Sequence, residues 1–373
     1  MDYTPSTPEA SRAFLERLWH LDNDERPGFL IGYTGPDVVG GEPIQSALFS
    51  TEGAETVKER LLDPDKYLAA QLREIEGQSR LPGDFVPALC PSLGVVAIPS
   101  AFGCELLWSE RDFPAVKPLI EDQPEKVFEL EAPGVKDGVL GRILEYARHF
   151  REATGGRFPI RLTDIQGPLD SAALIWGHNE FMLALHTHPE EVHHLLRMVT
   201  DLTRDFALAM AGEAGKGFVP SLFQPWMPGN LGLSVSNDEC VMISREMHDT
   251  FSVPYLNQLS EAFGGLYVHS CGNWLHQIPS LEKVHNLRGV EFGASETPFK
   301  GVADGLGGKT LVACRVGLNR EFSFSSMANF VRHVQQNKVT NRGLFIHVDV
   351  TNGILGPDWP PTDLAEILAM IHG

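Results

Sequence analysis

Apolar and polar positions alternate in blocks along the second half of the chain, with short apolar runs separated by longer amphipathic stretches. Such runs, bounded by glycine, proline or asparagine, read as strands, and the 3.6-residue periodicity between them reads as helix. The pattern predicts strands over residues 158–162, 218–223, 265–270, 288–292, 310–316 and 343–348. Between and after them it predicts two short helices over 169–185, a long one from 189 to about 211, and one over 238–263 that Pro254 kinks or splits. Further helices are predicted over 274–281, 299–306, 325–338 and 361–371. Thr187-His188-Pro189-Glu190-Glu191 opens the long helix: Thr187 or His188 caps it, proline fills the first turn, and two acids meet the positive end of the dipole. Short apolar strands alternating with helices pair in parallel with both faces covered, and an eight-stranded (β/α) barrel is the economical closure.

The first 150 residues are less regular. Residues 5–21 and 55–76 read as helical, while 47–50, 95–99 and 106–109 read as extended and include a candidate hairpin. The expected fold is therefore α/β, a single TIM-type (β/α)8 barrel over residues 85–373 with an N-terminal helical extension over 1–84.

Composition adds limits. A chain of 373 residues with 43% hydrophobic content can bury a large core. It has no apolar run of about 18 residues, and Met1-Asp2-Tyr3-Thr4-Pro5 resembles no leader, so a cytoplasmic location is expected. Five widely spaced cysteines point to reduced thiols. A formal charge of −19 disfavours nucleic acid and anionic membranes as partners, since both need clustered Lys and Arg.

Candidate chemistry centres on Tyr267-Val268-His269-Ser270-Cys271-Gly272-Asn273. Side chains at i and i+2 of a strand share a face, so His269 and Cys271 can reach one metal ion or one substrate together. Glu291, in the apolar run Gly289-Val290-Glu291-Phe292, adds a carboxylate, whose burial is costly unless it is paired or metal-bound. An imidazole, a thiolate and a carboxylate make an open zinc site with a position left for substrate. The alternative is a small core cysteine beside a hydrogen-bonded interior histidine. His347 and Asp349 alternate along the last strand, and Cys314 ends another. Further polar groups fall where barrel loops converge: Asp164 and Gln166, then Gln224, Trp226 and Asn230, then Asn237, Asp238 and Glu239. Asp238 also suits a helix N-cap. His178, His186, His188, His193 and His194 lie in solvated helix faces and turns, away from a catalytic mouth.

Gly167-Pro168-Leu169, His188-Pro189-Glu190-Glu191-Val192, Ser234-Val235-Ser236-Asn237-Asp238, Val253-Pro254-Tyr255-Leu256 and His269-Ser270-Cys271-Gly272-Asn273 resemble the successive signatures of the uroporphyrinogen decarboxylase superfamily over roughly residues 85–372. The superfamily also holds zinc-dependent corrinoid methyltransferases, and cobalamin-independent methionine synthase is a more distant barrel relative. The decarboxylases carry an N-terminal Arg-Gln-Ala-Gly-Arg motif that holds substrate carboxylates; this chain has only the isolated Arg12, Arg17 and Arg26 there. The methyltransferases bind zinc through His-X-Cys and a later cysteine. His269 and Cys271 match the pair, but no cysteine stands near Asn352-Gly353, which leaves Glu291, His347, Asp349 or Cys314 as substitutes for the missing ligand.

The resemblance implies a zinc-assisted methyltransferase, with zinc on His269, Cys271, Glu291 and His347, catalytic roles for Asp238, Glu291 and Asp164, and cofactor contacts from Gln224, Trp226, Asn230 and Asn237. The methyl donor would be a corrinoid or similar group. Candidate partners are a small-molecule substrate, a corrinoid protein and a second copy of the chain. The alternatives are a metal-free decarboxylase and a catalytically inactive ligand-binding barrel.

Overall fold

Parallel strands dominate the computed structural model, which describes residues 6–32, 55–316, 324–349 and 362–372. Among the described residues ten strands follow in chain order: β1 Gly28–Gly32, β2 Glu105–Leu107, β3 Ala115–Lys117, β4 Ile160–Arg161, β5 Phe218–Val219, β6 Leu233–Ser236, β7 Leu266–Ser270, β8 Leu287–Gly293, β9 Leu311–Arg315 and β10 Leu344–Asp349. Six form one sheet in the order β1-β10-β9-β8-β7-β6, and every pairing in it is parallel. β4 and β5 form a separate parallel pair, and β2 and β3 form the hairpin expected near residue 106. Bridges at Leu30–Gly83, Leu89–Ile160 and Gln166–Ser236 connect the region of β4 to both edges of the large sheet.

Each strand sends alternate residues to two different cores. Val268, Val290, Val312 and Ile346 face outward into the larger cluster, under helices that include Val253–Phe263 against β7 and Phe299–Leu306 against β9. Leu30, Tyr267, Leu311, Ala313 and Phe345 face inward. The N-terminal helix Pro8–Trp19 caps that inner cluster with Phe14, Leu15, Leu18 and Trp19; the Trp19 indole donates to the Trp226 carbonyl at 2.8 Å and meets the Tyr267 ring edge-on at 5.0 Å.

Several expectations change. The strands β1 and β6 were not anticipated: β1 is only five residues and follows a run of charged residues, and β6 is a four-residue Leu-Ser-Val-Ser stretch whose serines mask its alternation. Residues 95–99, read as extended, instead enter the helix Ala97–Ala101. The helix expected over 238–263 is three pieces, Asp238–Met242, Arg245–Phe251 and Val253–Phe263, because Ser244 caps the second and Pro254 sits in the first turn of the third. Residues 47–50 lie outside the described residues. No helix among the described residues is long and apolar enough to cross a membrane.

Candidate functional site

Parallel pairing brings the C-terminal ends of all six strands to one side of the sheet, the side where α/β proteins place their chemistry. His269 is level with Ser236 of β6 and Glu291 of β8. Its Nδ1 hydrogen-bonds Glu291 Oε2, and its Nε2 lies 3.2 Å from Cys271 Sγ and 3.7 Å from Asp238 Oδ1. Asp238, His269 and Cys271 form a group whose donor atoms all lie within 4.8 Å of one another. Bond lengths of 2.0–2.3 Å in a tetrahedral zinc site imply ligand separations of roughly 3.3–3.7 Å, so these residues fit a metal ion. Glu291 stands behind them: its other oxygen accepts from Arg315 Nε at 2.9 Å. A carboxylate on the far nitrogen of a ligating histidine is the usual way to fix the tautomer and orientation of the ring.

Local backbone explains the arrangement. Cys271 leaves β7 into a turn at Gly272, whose φ of 72° lies in the left-handed region that favours glycine. The Cys271 amide donates to Asp238 Oδ1 at 2.5 Å, while the Thr297 hydroxyl donates to the Gly272 carbonyl at 2.7 Å. Asp238 is pinned from the other side, because both oxygens of buried Asp170 accept backbone amides, Asp238 at 2.7 Å and Glu239 at 2.9 Å. The close approach of Gly167 to the Ser236 carbonyl, which a Cβ would meet at 2.2 Å, lets this Asp170 helix start directly beside β6. Phe223 stacks on the His269 ring, 4.5 Å between centroids and 17° between planes.

The electrostatics follow from burial and pairing. Burial opposes charge on His269, but Glu291, the Cys271 sulfur and Asp238 together hold its pKa well above the ordinary value. Glu291 is moved the opposite way: despite burial, His269, Arg315 and His347 bring its carboxyl down to about 2. Burial raises Asp164, against a hydrogen bond from Gln166 and the nearby His269. Asp170 is raised further, by burial and by Asp238.

Of the residues singled out in the sequence, His269, Cys271, Asp238 and Glu291 meet directly, and Asp164 and His347 lie close enough to act on them electrostatically. Gln166 bridges Asp164 at 2.9 Å. The Gln224 carbonyl accepts from the Tyr267 hydroxyl, two residues beneath His269. Trp226 is buried with Trp19 in the inner apolar cluster, and Asn230 is exposed; neither joins the His269 group. Asn237 is buried against His248 at 2.9 Å and Ser252 at 3.1 Å. Cys314 faces the outer core, with burial pushing its thiol above the usual range. His178 pairs with Glu239, and His193 packs on Phe251 and Tyr255. The Asp349 side chain and residues 352–353 lie outside what is described. Sequence reasoning passed over Arg315, Asp170 and Phe223. An arginine ending the apolar run Leu311–Arg315, and an aspartate two residues after Pro168, were the available signals.

A family model described as uroporphyrinogen decarboxylase (URO-D) matches residues 52–312. No curated protein matches the chain in sequence. Among solved structures, a methyltransferase from Methanosarcina mazei is 15% identical, superposes with a TM-score of 0.67, and the match covers 98% of each chain. A B12-independent methionine synthase from Shewanella sp. W3-18-1 is 11% identical with a TM-score of 0.47, over 92% of this chain and 96% of that one. The family match spans more than two thirds of the sequence and includes β4 to β8 with the His269, Cys271 and Glu291 positions, and on that ground the chain belongs to the uroporphyrinogen decarboxylase family.

Proposed function

We propose that the chain is a metal-assisted methyltransferase that passes a methyl group to a thiol or another small-molecule acceptor, with zinc held by Asp238, His269 and Cys271. The observation that supports this most is the convergence of three chemically different donors within 4.8 Å, with the far nitrogen of His269 already taken by Glu291. Three protein donors would hold zinc and leave it a position for substrate, which is the design of catalytic sites and not of structural ones. Bound there, zinc supplies the Lewis acidity that lowers the pKa of a thiol and keeps it as thiolate.

The chain's own groups do the positioning. Glu291, expected as a ligand, in this reading takes the Nδ1 proton of His269 as its hydrogen-bond partner and leaves the Nε2 lone pair facing Cys271 and Asp238. Arg315 compensates Glu291 and donates from Nη2 to Cys271 Sγ at 3.7 Å, which orients the sulfur. Phe223 screens one face of the imidazole from water. A corrinoid as methyl donor, and a corrinoid protein or a second copy of the chain as partner, belong to the same proposal. So does closure of the sheet into an eight-stranded barrel through the Leu89 and Gln166 bridges, with residues 1–84 as an extension that lends β1 to the barrel of residues 85–373.

Elemental analysis of chelator-free protein expressed with added zinc tests this. One zinc per chain is expected in the wild type, and Cys271→Ser should lose most of it with an unchanged circular dichroism spectrum. Metal-free wild type would favour a metal-free decarboxylase, and full zinc in the variant would remove Cys271 from the ligand set and overturn this site. The position of Asp164 beside His269, with burial raising its pKa, is the observation that favours that second reading, since a carboxyl there is placed to exchange a proton with a substrate.

A further inference from the structure

An acid without a counter-ion stands beside the candidate metal site. Asp164 follows β4 between Thr163 and Ile165, both fully buried, yet is itself partly exposed. Asp238 and Cys271 are partly exposed as well, so the three groups are reachable from the same end of the strands. Asp164 Oδ1 accepts from Gln166 Nε2 at 2.9 Å, and Oδ2 has no hydrogen-bond partner among the described residues. Among those residues no Lys, Arg or His lies within ion-pair distance of the carboxylate either, and the guanidinium of Arg315 is engaged by Glu291. Burial, and then Asp238, oppose charge on Asp164, while the Gln166 bond and His269 favour it. Half-buried carboxylates are ordinarily paired, and this one is not.

Gln166 fixes where this carboxylate sits. Its Nε2 also lies 3.4 Å from Ser236 Oγ, and the backbones of Gln166 and Ser236 form a parallel bridge. Ser236 is in turn level with His269. The Asp164 carboxylate, Ser236 and His269 thus stand side by side over three neighbouring backbone segments, and at about 4.8 Å per step the outer two are roughly 10 Å apart. A substrate chain of about two to four atoms covers that span once a metal bond at one end and a hydrogen bond at the other are counted. Charge sets what such a chain can carry. Zinc with the Asp238 carboxylate and the Cys271 sulfur as anionic donors is neutral, a bound thiolate makes the group negative, and Asp164 adds to the same sign. Glu291 and Arg315 cancel one another.

We propose that Asp164 is a specificity-determining residue, which receives an ammonium group carried about two to four atoms from the reacting atom of the methyl acceptor and turns away acceptors with an anionic tail. This rests on the reading of the neighbouring site as a thiol-binding metal centre. The unpartnered Oδ2 supplies the hydrogen-bond acceptor for an N–H of that group, and Gln166 keeps the carboxylate turned by holding Oδ1. With the ammonium in place, the excess of negative charge that Asp164 creates is cancelled, and the carboxylate gains the partner that the fold withholds.

The test uses three small thiols, cysteamine, 2-mercaptoethanol and 3-mercaptopropionate, titrated calorimetrically into the zinc-loaded full chain and into Asp164→Asn at equal zinc content. Asparagine keeps an oxygen for Gln166 and removes only the charge, and the differing acidities of the probe thiols cancel when wild type and variant are compared. The preference for cysteamine over 2-mercaptoethanol is expected to be about tenfold greater in the wild type than in Asp164→Asn, the worth of one charge-assisted bond at a partly exposed group. Asp164→Glu should keep part of that preference, and 3-mercaptopropionate should bind Asp164→Asn more tightly than the wild type. A wild type that binds 3-mercaptopropionate as tightly as cysteamine overturns the proposal without any variant. So does Asp164→Asn that keeps the wild-type ratios. Failure of the metal reading looks different: all three thiols would bind zinc-stripped and zinc-loaded protein alike, whatever the ratios among them.

Discussion

The same strands build two unlike regions, and one step of two residues separates them. On the lower level Tyr267, Leu311 and Phe345 face the Trp19 and Trp226 indoles in an apolar plug. On the upper level stand His269, two residues beyond Tyr267, Glu291, two beyond Gly289, Arg315, two beyond the plug's Ala313, and His347, two beyond Phe345. Backbone hydrogen bonding is continuous through both, so the contrast is one of side chains alone. The lower level holds the strands at fixed spacing; the upper one uses that spacing to set a histidine, a thiol and two carboxylates within a few ångströms. Stability and chemistry should therefore respond to different substitutions on the same strand.

The strongest way to break this contrast is to truncate the plug. Phe345→Ala removes a fully buried ring and should cost about 3–5 kcal/mol in urea denaturation, while the folded fraction still carries its metal. A stability loss below about 1 kcal/mol, or loss of metal from well-folded protein, would mean that the two levels are not separable. Glu291→Gln probes the upper level from behind. Metal affinity should fall roughly ten- to a hundredfold, as for other groups that orient a ligating histidine, and competition with a chromogenic chelator measures it. Unaltered affinity would make Glu291 a partner of Arg315 only. Asp170→Asn acts one step further out. It keeps an acceptor for one amide and loses the second, so Asp238 shifts and affinity should drop by about tenfold or less, with a changed visible spectrum for the cobalt-substituted protein. An identical spectrum would deny Asp170 its positioning role.

The smallest effect concerns pH. Burial lowers the His248 pKa to about 4, so the folded protein keeps this ring neutral where the unfolded chain protonates it. Its contribution is complete above the ordinary histidine pKa near 6.5 and declines as pH falls from there toward 4, at no more than about 1.4 kcal/mol per pH unit. His248→Gln should flatten that slope in melts between those limits; an unchanged slope assigns it to the carboxylates instead. The ring bonds Asn237 behind the Asp238 loop, so this also tests whether the wall of the upper level can be altered without touching the plug.

Legibility in the sequence followed the same division. The strands Leu311–Arg315 and Leu344–Asp349 open on the apolar runs Leu311-Val312-Ala313-Cys314 and Leu344-Phe345-Ile346, because parallel strands are buried on both faces, and they were found within a residue or two. β6 was missed because its inward positions are Ser234 and Ser236, small polar residues that make room for Leu222 and Gln166 and so hide the alternation. The His-X-Cys pair was visible from period two alone. Asp238 stood out as a polar loop residue and a helix cap, yet its place among the metal donors was not readable: the Cys271 amide that holds it is 33 positions away, and its second support, Asp170, is 68 positions back. Glu291 was recognised as an expensive buried acid; that it faces the far side of the imidazole follows from the β7 to β8 register, which no local pattern reveals.

The pairing of β1 with β10 has a consequence for the order in which the molecule can be made. Gly28 to Gly32 sit beside Phe345 to Asp349, and the junction is tied by Asn23 to the Asn341 carbonyl at 2.7 Å and to the Gly343 amide at 2.9 Å. About 310 residues lie between the two strands, so at roughly 5–20 residues per second β1 waits on the order of 15–60 s on the ribosome for its neighbour. During that interval its apolar residues Phe29, Leu30 and Ile31 have no sheet to join, and nascent chains on one message present the same bare edge to one another. Chains released before β10 emerges should therefore accumulate on chaperones or in aggregates, and yield should depend on growth temperature and elongation speed more steeply than the thermal stability of the finished protein would suggest.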